Sequence, residues 1–206
     1  MTFPVAHIID DDPDVCDALT WLLKSRGVSS LTWTSPEAFL QADVAQLQGC
    51  MLLDVRMPVM SGIELFDRAR KMGCRLPVIF LTGHGDVPMA VEAIKNGACD
   101  FLEKPYDDNA LVDKVLAAMR IDAESKQRDG SLELLRAQLT QLTQREQEVM
   151  REILSGKLNK VIADELGIAM RTVEVHRARI FEKMQVRSAV ELSQRLKALD
   201  APGSLG

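Results

Sequence analysis

The sequence predicts an α/β fold, a doubly wound five-stranded parallel sheet, followed by a separate all-α domain. Over residues 1–121, short apolar runs alternate five times with segments of helical period, and this alternation is typical of a parallel sheet covered by helices. Right-handed crossovers between such strands give a doubly wound sheet. From residue 140 onward the apolar spacing is helical throughout.

Two domains fit the length and the charge distribution. A chain of 206 residues can build two small cores. We predict a first domain at 1–121, a partly helical linker at 122–139 and a second domain at 140–206. Residues 1–122 carry 18 acidic and 11 basic side chains, whereas residues 140–206 carry 9 acidic and 11 basic ones. The acidic part suits a divalent cation, and only the mildly basic part suits nucleic acid.

The first domain opens with an apolar strand from Val5 to Ile9. Asp12-Pro13 then begins a helix that Gly27 ends, because Pro fits the first helical turn and Gly fits the position after the last. Apolar spacing and the positions of Pro and Gly predict the later elements in the same way. These are a strand at 28–33, a helix from 34–37, a strand at 50–54, a helix at 62–72, a strand from 77, a helix at 86–96, a strand at 99–102 and a helix after Asp107 or Asp108.

Polar residues stand where four of the predicted strands end. One apolar run, too short for a helix, delivers Asp54 to its end. The other strands run into Asp10-Asp11-Asp12, into Thr82 and into Lys104. Ligands of open α/β folds bind at the carboxyl edge of the parallel strands. We therefore expect three acids, a hydroxyl and an ammonium to share one site.

These motifs resemble the receiver domain of two-component response regulators over residues 4 to about 120. The acid pair near the start, D-V-R-M-P with Gly62 after it, T-G-H-G-D and F-L-E-K-P occur in the family's order. The motif T-G-H-G-D-V-P-M-A-V, taken with the C-terminal region, resembles the FixJ-like subgroup. The resemblance implies a flavodoxin-like fold, in agreement with the strand and helix pattern.

The resemblance also implies that Asp54 accepts a phosphoryl group from a phosphohistidine on a sensor histidine kinase. Lys104 would face the phosphoryl oxygens with its positive charge, and the Thr82 hydroxyl would bind one of them. Crowded carboxylates repel one another, so a hard cation with oxygen ligands is expected, and Mg²⁺ fits best. By resemblance, its ligands are Asp11 and Asp54 directly, Asp10 through water, and the backbone carbonyl of Arg56.

Phe101 matches the aromatic switch residue of the family. Contact between a phosphoryl group and Thr82 would draw the hydroxyl inward and leave room for the Phe101 ring to turn in. That movement would reshape the surface around residues 84–106, which such domains use for dimerisation. The alternative is that Phe101 is simply a core residue, and a switch requires differential affinity for the two states.

The linker at 122–139 is polar and charge-balanced. Leucines recur at helical spacing at Leu132, Leu135, Leu139 and Leu142, whereas Asp129-Gly130-Ser131 predicts a break. A partly helical linker and a tether that is flexible in its first half both remain open.

The C-terminal domain is predicted to contain four helices. They are a helix begun by a capping box of Thr143 and Glu146, a short helix ended by Gly167, a longer helix from Arg171 to Met184, and a last helix capped by Ser188. Two helices joined by a short turn that contains Gly form a helix-turn-helix. The ordered motifs L-T-Q-R-E-Q-E-V, N-K-V-I-A-D-E-L-G-I, R-T-V-E-V-H-R, K-M and V-R-S resemble the LuxR-type output domain.

A recognition helix presents its N-terminal residues to base edges in the major groove. Glu174 can accept from cytosine, Val175 can touch a thymine methyl group and Arg177 can pair with guanine. The residues expected at phosphates are Lys160, Arg171, Thr172, Arg179, Lys183 and Arg187.

A single small domain of low positive charge binds double-stranded promoter DNA weakly, so a homodimer on paired half-sites is expected. Phosphorylation would promote that dimer, release the output domain from the receiver, or do both. RNA polymerase is the further partner expected of a transcription regulator.

The function predicted from these motifs is that of a DNA-binding response regulator, which is not an enzyme. Two other functions compete with this prediction. A Mg²⁺-dependent phosphatase would also use an aspartyl nucleophile, but haloacid-dehalogenase-like enzymes place a second Asp two residues later, where this chain has Arg56. A pure interaction module would bind protein through the C-terminal helices. The sequence contains neither a P-loop nor G-x-G-x-x-G, so nucleotide hydrolysis has no support.

The sequence also bears on location. No apolar run approaches the roughly 18 residues of a membrane span, and the N-terminus lacks a basic region followed by an apolar stretch. A cytoplasmic protein without membrane contact is therefore expected.

Overall fold

A computed structural model describes residues 4–83, 91–92, 94–95, 97–197 and 199. The chain forms two compact units, Met1–Lys126 and Gln127–Gly206. The first unit is an α/β structure and the second is helical, as the apolar spacing predicts.

Five strands of the first unit, taken over its described residues, form one parallel sheet in the order β2-β1-β3-β4-β5. The strands are β1 (Val5–Ile9), β2 (Ser30–Trp33), β3 (Gly49–Asp54), β4 (Val78–Thr82) and β5 (Asp100–Glu103). The order reverses beside β1, so the sheet is doubly wound and the fold class is confirmed. β2 begins two residues later than predicted, at Ser30.

Helices on both faces of the sheet bury two apolar layers. The helices are α1 (Pro13–Ser25), α2 (Pro36–Leu40), α3 (Gly62–Lys71) and α4 (Asp108–Thr140). Successive residues of β3 point to opposite faces: Met51 and Leu53 join one layer, while Cys50 and Leu52 join the other. β3 is buried along its whole length, so its central position fixes where Asp54 emerges.

Local sequence explains where these helices begin. The Asp12 side chain accepts from the amide of Asp14 at the start of α1, and the Ser35 side chain accepts from the amide of Ala38 at the start of α2. The helix predicted at 86–96 lies largely outside the described residues, of which 91, 92, 94 and 95 are helical.

The predicted break at Asp129-Gly130-Ser131 is wrong, because α4 continues as one helix from Asp108 to Thr140. Gly130 faces open space and needs no unusual backbone angle, while the Ser131 hydroxyl donates to the carbonyl of Gln127 one turn earlier. Local turn propensity is weak compared with contacts made at both ends of a helix. The proposed domain division at 121 and 139 stays a prediction.

The second unit packs helices around an apolar cluster that includes Leu135, Val149, Ile162, Val173 and Ile180. Its further helices are α5 (Gln144–Leu154), α6 (Asn159–Leu166), α7 (Met170–Lys183) and α8 (Ala189–Lys197). The predicted capping box is present at α5, and Gly167 ends α6 with a φ of 63°, in the left-handed region.

Replacing Gly130 with alanine tests the continuous helix. We expect Gly130→Ala to raise the free energy of unfolding by about 0.5–1 kcal/mol, because alanine loses less backbone entropy than glycine inside a helix. Gly27→Ala is the matched control: Gly27 also faces open space but has a φ of 75°, so this variant should lose about 1 kcal/mol or more. Urea unfolding measures both values, and a destabilised Gly130→Ala protein would indicate a turn at that position.

Candidate functional site

The ends of four parallel strands bring the predicted site residues to one edge of the sheet. Ile9 lies beside Leu53 in the β1–β3 pairing, so Asp10 and Asp54 follow side by side. Thr82, the last residue of β4, lies beside Glu103, which immediately precedes Lys104. The backbone amide of Lys104 donates to the carbonyl of Thr82 at 2.7 Å.

Lys104 joins the two buried carboxylates. Its Nζ lies 2.6 Å from Asp54 Oδ1 and 3.1 Å from Asp10 Oδ2. The carboxylates therefore lie within two hydrogen-bond lengths of each other and share one ammonium. Asp10, Asp54 and Lys104 are thus brought together as the strand pattern predicts.

The backbone orients both carboxylates. The amide of Arg56 donates to Asp54 Oδ2 at 2.7 Å, and the amide of Asp12 donates to Asp10 Oδ1 at 3.0 Å. The Asp54 side chain is only 10% exposed, so the surrounding residues hold the carboxylate in place and leave a small part of it accessible to solvent. A Cβ at Gly62 would lie 2.1 Å from the Asp54 carbonyl oxygen, so only glycine lets α3 begin this close behind the strand.

The electrostatics of the site follow from burial and pairing. Burial raises the pKa of Asp54 above its ordinary value, and the charge of Asp10 adds to this, although Lys104 opposes it. Burial acts to lower the pKa of Lys104, but its hydrogen bond to Asp54 and the charges of Asp54 and Asp10 outweigh burial and raise it. The lysine therefore stays charged, which suits a group that must attract an anion.

Thr82 is buried, and its Oγ1 has no hydrogen-bond partner among the described residues. A buried hydroxyl without a partner is uncommon, because the group has lost its hydrogen bonds to water. Thr82 lies beside the residue that precedes Lys104. Its hydroxyl is therefore available to a ligand oxygen at the same edge of the sheet.

The predicted metal ligands are placed unevenly. Asp10 and Asp54 are buried in the site, whereas Asp11 and Arg56 are exposed. In the described part of the chain, no three His, Cys, Asp or Glu side chains form a group that could hold a metal ion. Mg²⁺ is often held by one or two carboxylates with water filling the other positions, so the donor chemistry of Asp10 and Asp54 fits it. Asp12 serves as the N-cap of α1.

Two aromatic residues lie close to Lys104 in the chain. Phe101 is half-buried and packs against the apolar layer that contains Phe80, a position compatible with both the switch and the core interpretation. Tyr106, which none of the sequence motifs includes, is half-buried, and burial raises the pKa of its hydroxyl. Its place two residues after Lys104 was the signal available for finding it.

In the second unit, α6, the turn through Gly167 and α7 form a helix-turn-helix. Most of the predicted DNA contacts are exposed on it or just after it, namely Lys160, Arg171, Thr172, Glu174, Val175, Arg179 and Arg187. Both helices begin without a side-chain cap, at Leu158 and Ala169. Their first backbone amides are therefore free of side-chain acceptors and can donate to an anion.

Two of the predicted contacts are engaged inside the domain. The Lys183 Nζ lies 2.6 Å from Glu146 Oε2 and donates to the carbonyl of Gln141 at 3.1 Å. Lys183 is therefore engaged within the domain, and its phosphate contact stays a prediction. Arg177 is half-buried with its guanidinium 5.4 Å from the centre of the Phe181 ring, which orients this side chain along the helix.

Comparison with known proteins shows that each of the two units matches a known protein family. Residues 6–116 match the response regulator receiver domain, and residues 140–196 match the bacterial regulatory proteins of the luxR family. The transcriptional regulatory protein FixJ of Azorhizobium caulinodans is 45% identical over 186 residues, covering 90% of this chain and 88% of that protein. The C4-dicarboxylate transport transcriptional regulatory protein DctR of Rhodobacter capsulatus is 45% identical over 196 residues, covering 94% and 99%.

Solved structures give the same result. The response regulator StyR superposes with a TM-score of 0.87 at 40% identity, covering 94% of this chain and 98% of that one. Full-length FixJ from B. japonicum gives a TM-score of 0.61 at 38% identity, covering 97% and 98%. Within the described residues, no helix has the length and apolar content needed to cross a membrane.

Replacing Thr82 with valine tests whether its hydroxyl is idle in the resting protein. We expect Thr82→Val to change the free energy of unfolding by less than about 0.5 kcal/mol, because no hydrogen bond to a described residue is lost and the shape is kept. Thr143→Val is the control, since the Thr143 hydroxyl accepts from the amide of Glu146 and its loss should cost about 1 kcal/mol. Equal losses in the two variants would show that Thr82 is already bonded.

Proposed function

The chain belongs to the response regulators that join a receiver domain to a LuxR-type DNA-binding domain, and from this we propose that phosphorylation of Asp54 controls its binding to promoters. The phosphoryl donor is the phosphohistidine of a sensor histidine kinase. The observation that carries this proposal is the meeting of Asp54, Asp10 and Lys104 at one edge of the sheet, with the unpartnered Thr82 hydroxyl beside them.

The geometry supports a simple transfer. A carboxylate oxygen of Asp54 attacks the phosphorus, the phosphorus–nitrogen bond to the donor histidine breaks, and the imidazole leaves with the bonding electron pair. Phosphoryl transfer needs alignment and charge neutralisation more than covalent help. Lys104 already touches Asp54, so its ammonium is in place for the incoming oxygens. Thr82 offers a hydroxyl that currently has no described partner.

Mg²⁺ is the cofactor we propose for this site. Asp10, Asp11, Asp54 and the backbone carbonyl of Arg56 would hold the ion, with Asp10 acting through water. When bound, Mg²⁺ supplies positive charge that offsets the negative charge of the phosphoryl oxygens. The role of the protein residues is to hold these oxygen donors in place, as the amides of Arg56 and Asp12 already do.

The output domain would use α7 as its recognition helix. Its exposed face carries Arg171, Glu174 and Arg179, and the uncapped amides at the starts of α6 and α7 suit phosphate oxygens. Glu174, Val175 and Arg177 remain the proposed base contacts. The ring of Phe181 beside Arg177 would limit the angles from which that side chain can approach a base.

Further partners follow from the same proposal. A homodimer formed on phosphorylation would bind paired half-sites, and RNA polymerase would be the target at the promoter. Because the DNA is cytoplasmic in bacteria, we place the protein there. We propose that it has no phosphatase turnover of its own, since Arg56 stands where haloacid-dehalogenase-like enzymes have a second Asp.

Replacing Asp54 with asparagine tests the phosphoacceptor. We expect Asp54→Asn to take no label above background from acetyl phosphate with Mg²⁺, because an amide is not a nucleophile at phosphorus. Asn can still accept from the amide of Arg56, so the fold should persist. Phosphate-affinity gel electrophoresis and intact-protein mass spectrometry measure the fraction of protein that carries the phosphoryl group.

Asp12→Asn is the matched control for this experiment, since Asp12 lies in the same acidic run but caps α1. It should be labelled like the wild-type protein. Strong labelling of Asp54→Asn would remove Asp54 from the proposed role.

Two cationic residues of α7 test the DNA interface. We expect Arg179→Ala, which removes an exposed charge, to reduce the slope of log affinity against log salt by about 1. Lys183→Met should leave the slope unchanged and lower the free energy of unfolding by about 1–2 kcal/mol, because buried Glu146 loses its cationic partner. Gel shifts at several salt concentrations and urea unfolding measure the two effects, and a reduced slope for Lys183→Met would restore it as a phosphate contact.

A further inference from the structure

The middle of α4 lacks the apolar contacts that hold its two ends. Before this stretch, Leu111, Val115 and Ala118 pack against the sheet, and after it Leu135 packs in the core of the second unit. The structure describes all of residues 119–131, and Asp122 is the one buried side chain among them. Met119, the first residue of the stretch, packs partly against the sheet layer, but from Arg120 onward hydrophobic burial does not explain why the stretch is helical.

The stretch is also a poor helix former by itself. It contains Gly130, and glycine is less favourable than alanine inside a helix. Helix formation by isolated segments of this length is marginal in water. The local sequence in fact predicts a break at 129–131, so a contact made elsewhere in the chain must keep the helix intact.

That contact is made by Asp122 and Lys126 with the backbone of Leu47 and Gly49, at the start of β3. Asp122 Oδ2 accepts from the backbone amide of Gly49 at 2.9 Å. Lys126 Nζ lies 3.1 Å from Asp122 Oδ2 and donates to the carbonyl of Leu47 at 2.6 Å. The two side chains are one helical turn apart, in the order that also favours the helix itself.

The segment that receives them is fixed. Gly49 has a φ of 115°, and a Cβ there would lie 1.9 Å from the carbonyl oxygen of Val5. The buried ring of His7 contacts the carbonyl of Gln48 at 3.3 Å. Because this backbone cannot shift freely, loss of Asp122 would leave the amide of Gly49 buried without an acceptor.

We propose that Asp122 and Lys126 form a latch, meaning these two side chains and their bonds to Leu47 and Gly49, which keeps residues 119–131 helical and couples the two domains. Gly49 begins β3, and Asp54 ends it. One buried strand thus carries the latch at its first residue and the phosphoacceptor at its last. The coupling part of this proposal rests on the proposed function, whereas the helix-holding part does not.

Hydrogen exchange and DNA binding of the full chain test the latch. The latch variants are Asp122→Ala and Lys126→Met, and the matched controls are Glu124→Ala and Arg128→Met, whose side chains are exposed on the same stretch. We expect amides at 119–131 to exchange at least about tenfold faster in the latch variants, and about as in wild type in the controls. Asp122→Asn, which keeps an acceptor for Gly49, should give a smaller effect.

The second measurement is the gain in DNA affinity on treatment with acetyl phosphate. The latch variants should take label on Asp54 like the wild type but lose most of this gain, so that the ratio of the two affinities falls towards one. A general loss of stability would instead speed exchange throughout residues 4–83, and this readout separates the latch from a merely structural contact. Should Asp122→Ala not fold, Lys126→Met and Asp122→Asn decide the question.

Each outcome bears on one part of the proposal. Unchanged exchange at 119–131 in Lys126→Met and Asp122→Asn would overturn the latch. Faster exchange with an undiminished phosphorylation response would overturn the coupling. A wild-type chain that takes no label would contradict the proposed function and with it the coupling, while the exchange result would still decide the latch.

Discussion

The contact of Lys104 with Asp54 and Asp10 is the constraint on which the receiver site depends. Two buried carboxylates this close repel each other, and a cation held between them offsets that repulsion. The ammonium of Lys104 lies within hydrogen-bond distance of both. Strand order makes this possible, because β3 lies between β1 and β4, and β5 lies beyond β4.

The same contact explains why the resting site can receive another anion. The ammonium already faces Asp54, so an incoming group meets an oriented charge and little reorganisation is needed. Thr82 contributes in a different way, since its buried hydroxyl gives up no hydrogen bond to any described residue. Lys104 is already bonded to Asp54 before phosphorylation, whereas the Thr82 hydroxyl is available to bind a phosphoryl oxygen. Thr82 can therefore respond to the difference between the unphosphorylated and the phosphorylated site.

Sequence patterns predicted the sheet and the receiver site because both depend on local order. A strand that ends in Asp54 must deliver it to the carboxyl edge, whatever the rest of the chain does. The patterns failed where distant contacts decide. The helix through Gly130 depends on Asp122 reaching the amide of Gly49, 73 residues away. The ion pair of Lys183 with Glu146, 37 residues away, likewise does not follow from local order, and the DNA contact of Lys183 stays a prediction.

Gly62 limits which substitutions this receiver domain can accept during evolution. Any other residue there would press its first side-chain carbon into the carbonyl of Asp54, at 2.1 Å from the oxygen. To relieve that overlap, α3 would have to move outward or the end of β3 would have to tilt, and either shift would alter the alignment of the aspartate with Lys104. Steric overlap alone therefore excludes substitution of Gly62, although glycine has no side chain that takes part in the chemistry of the site.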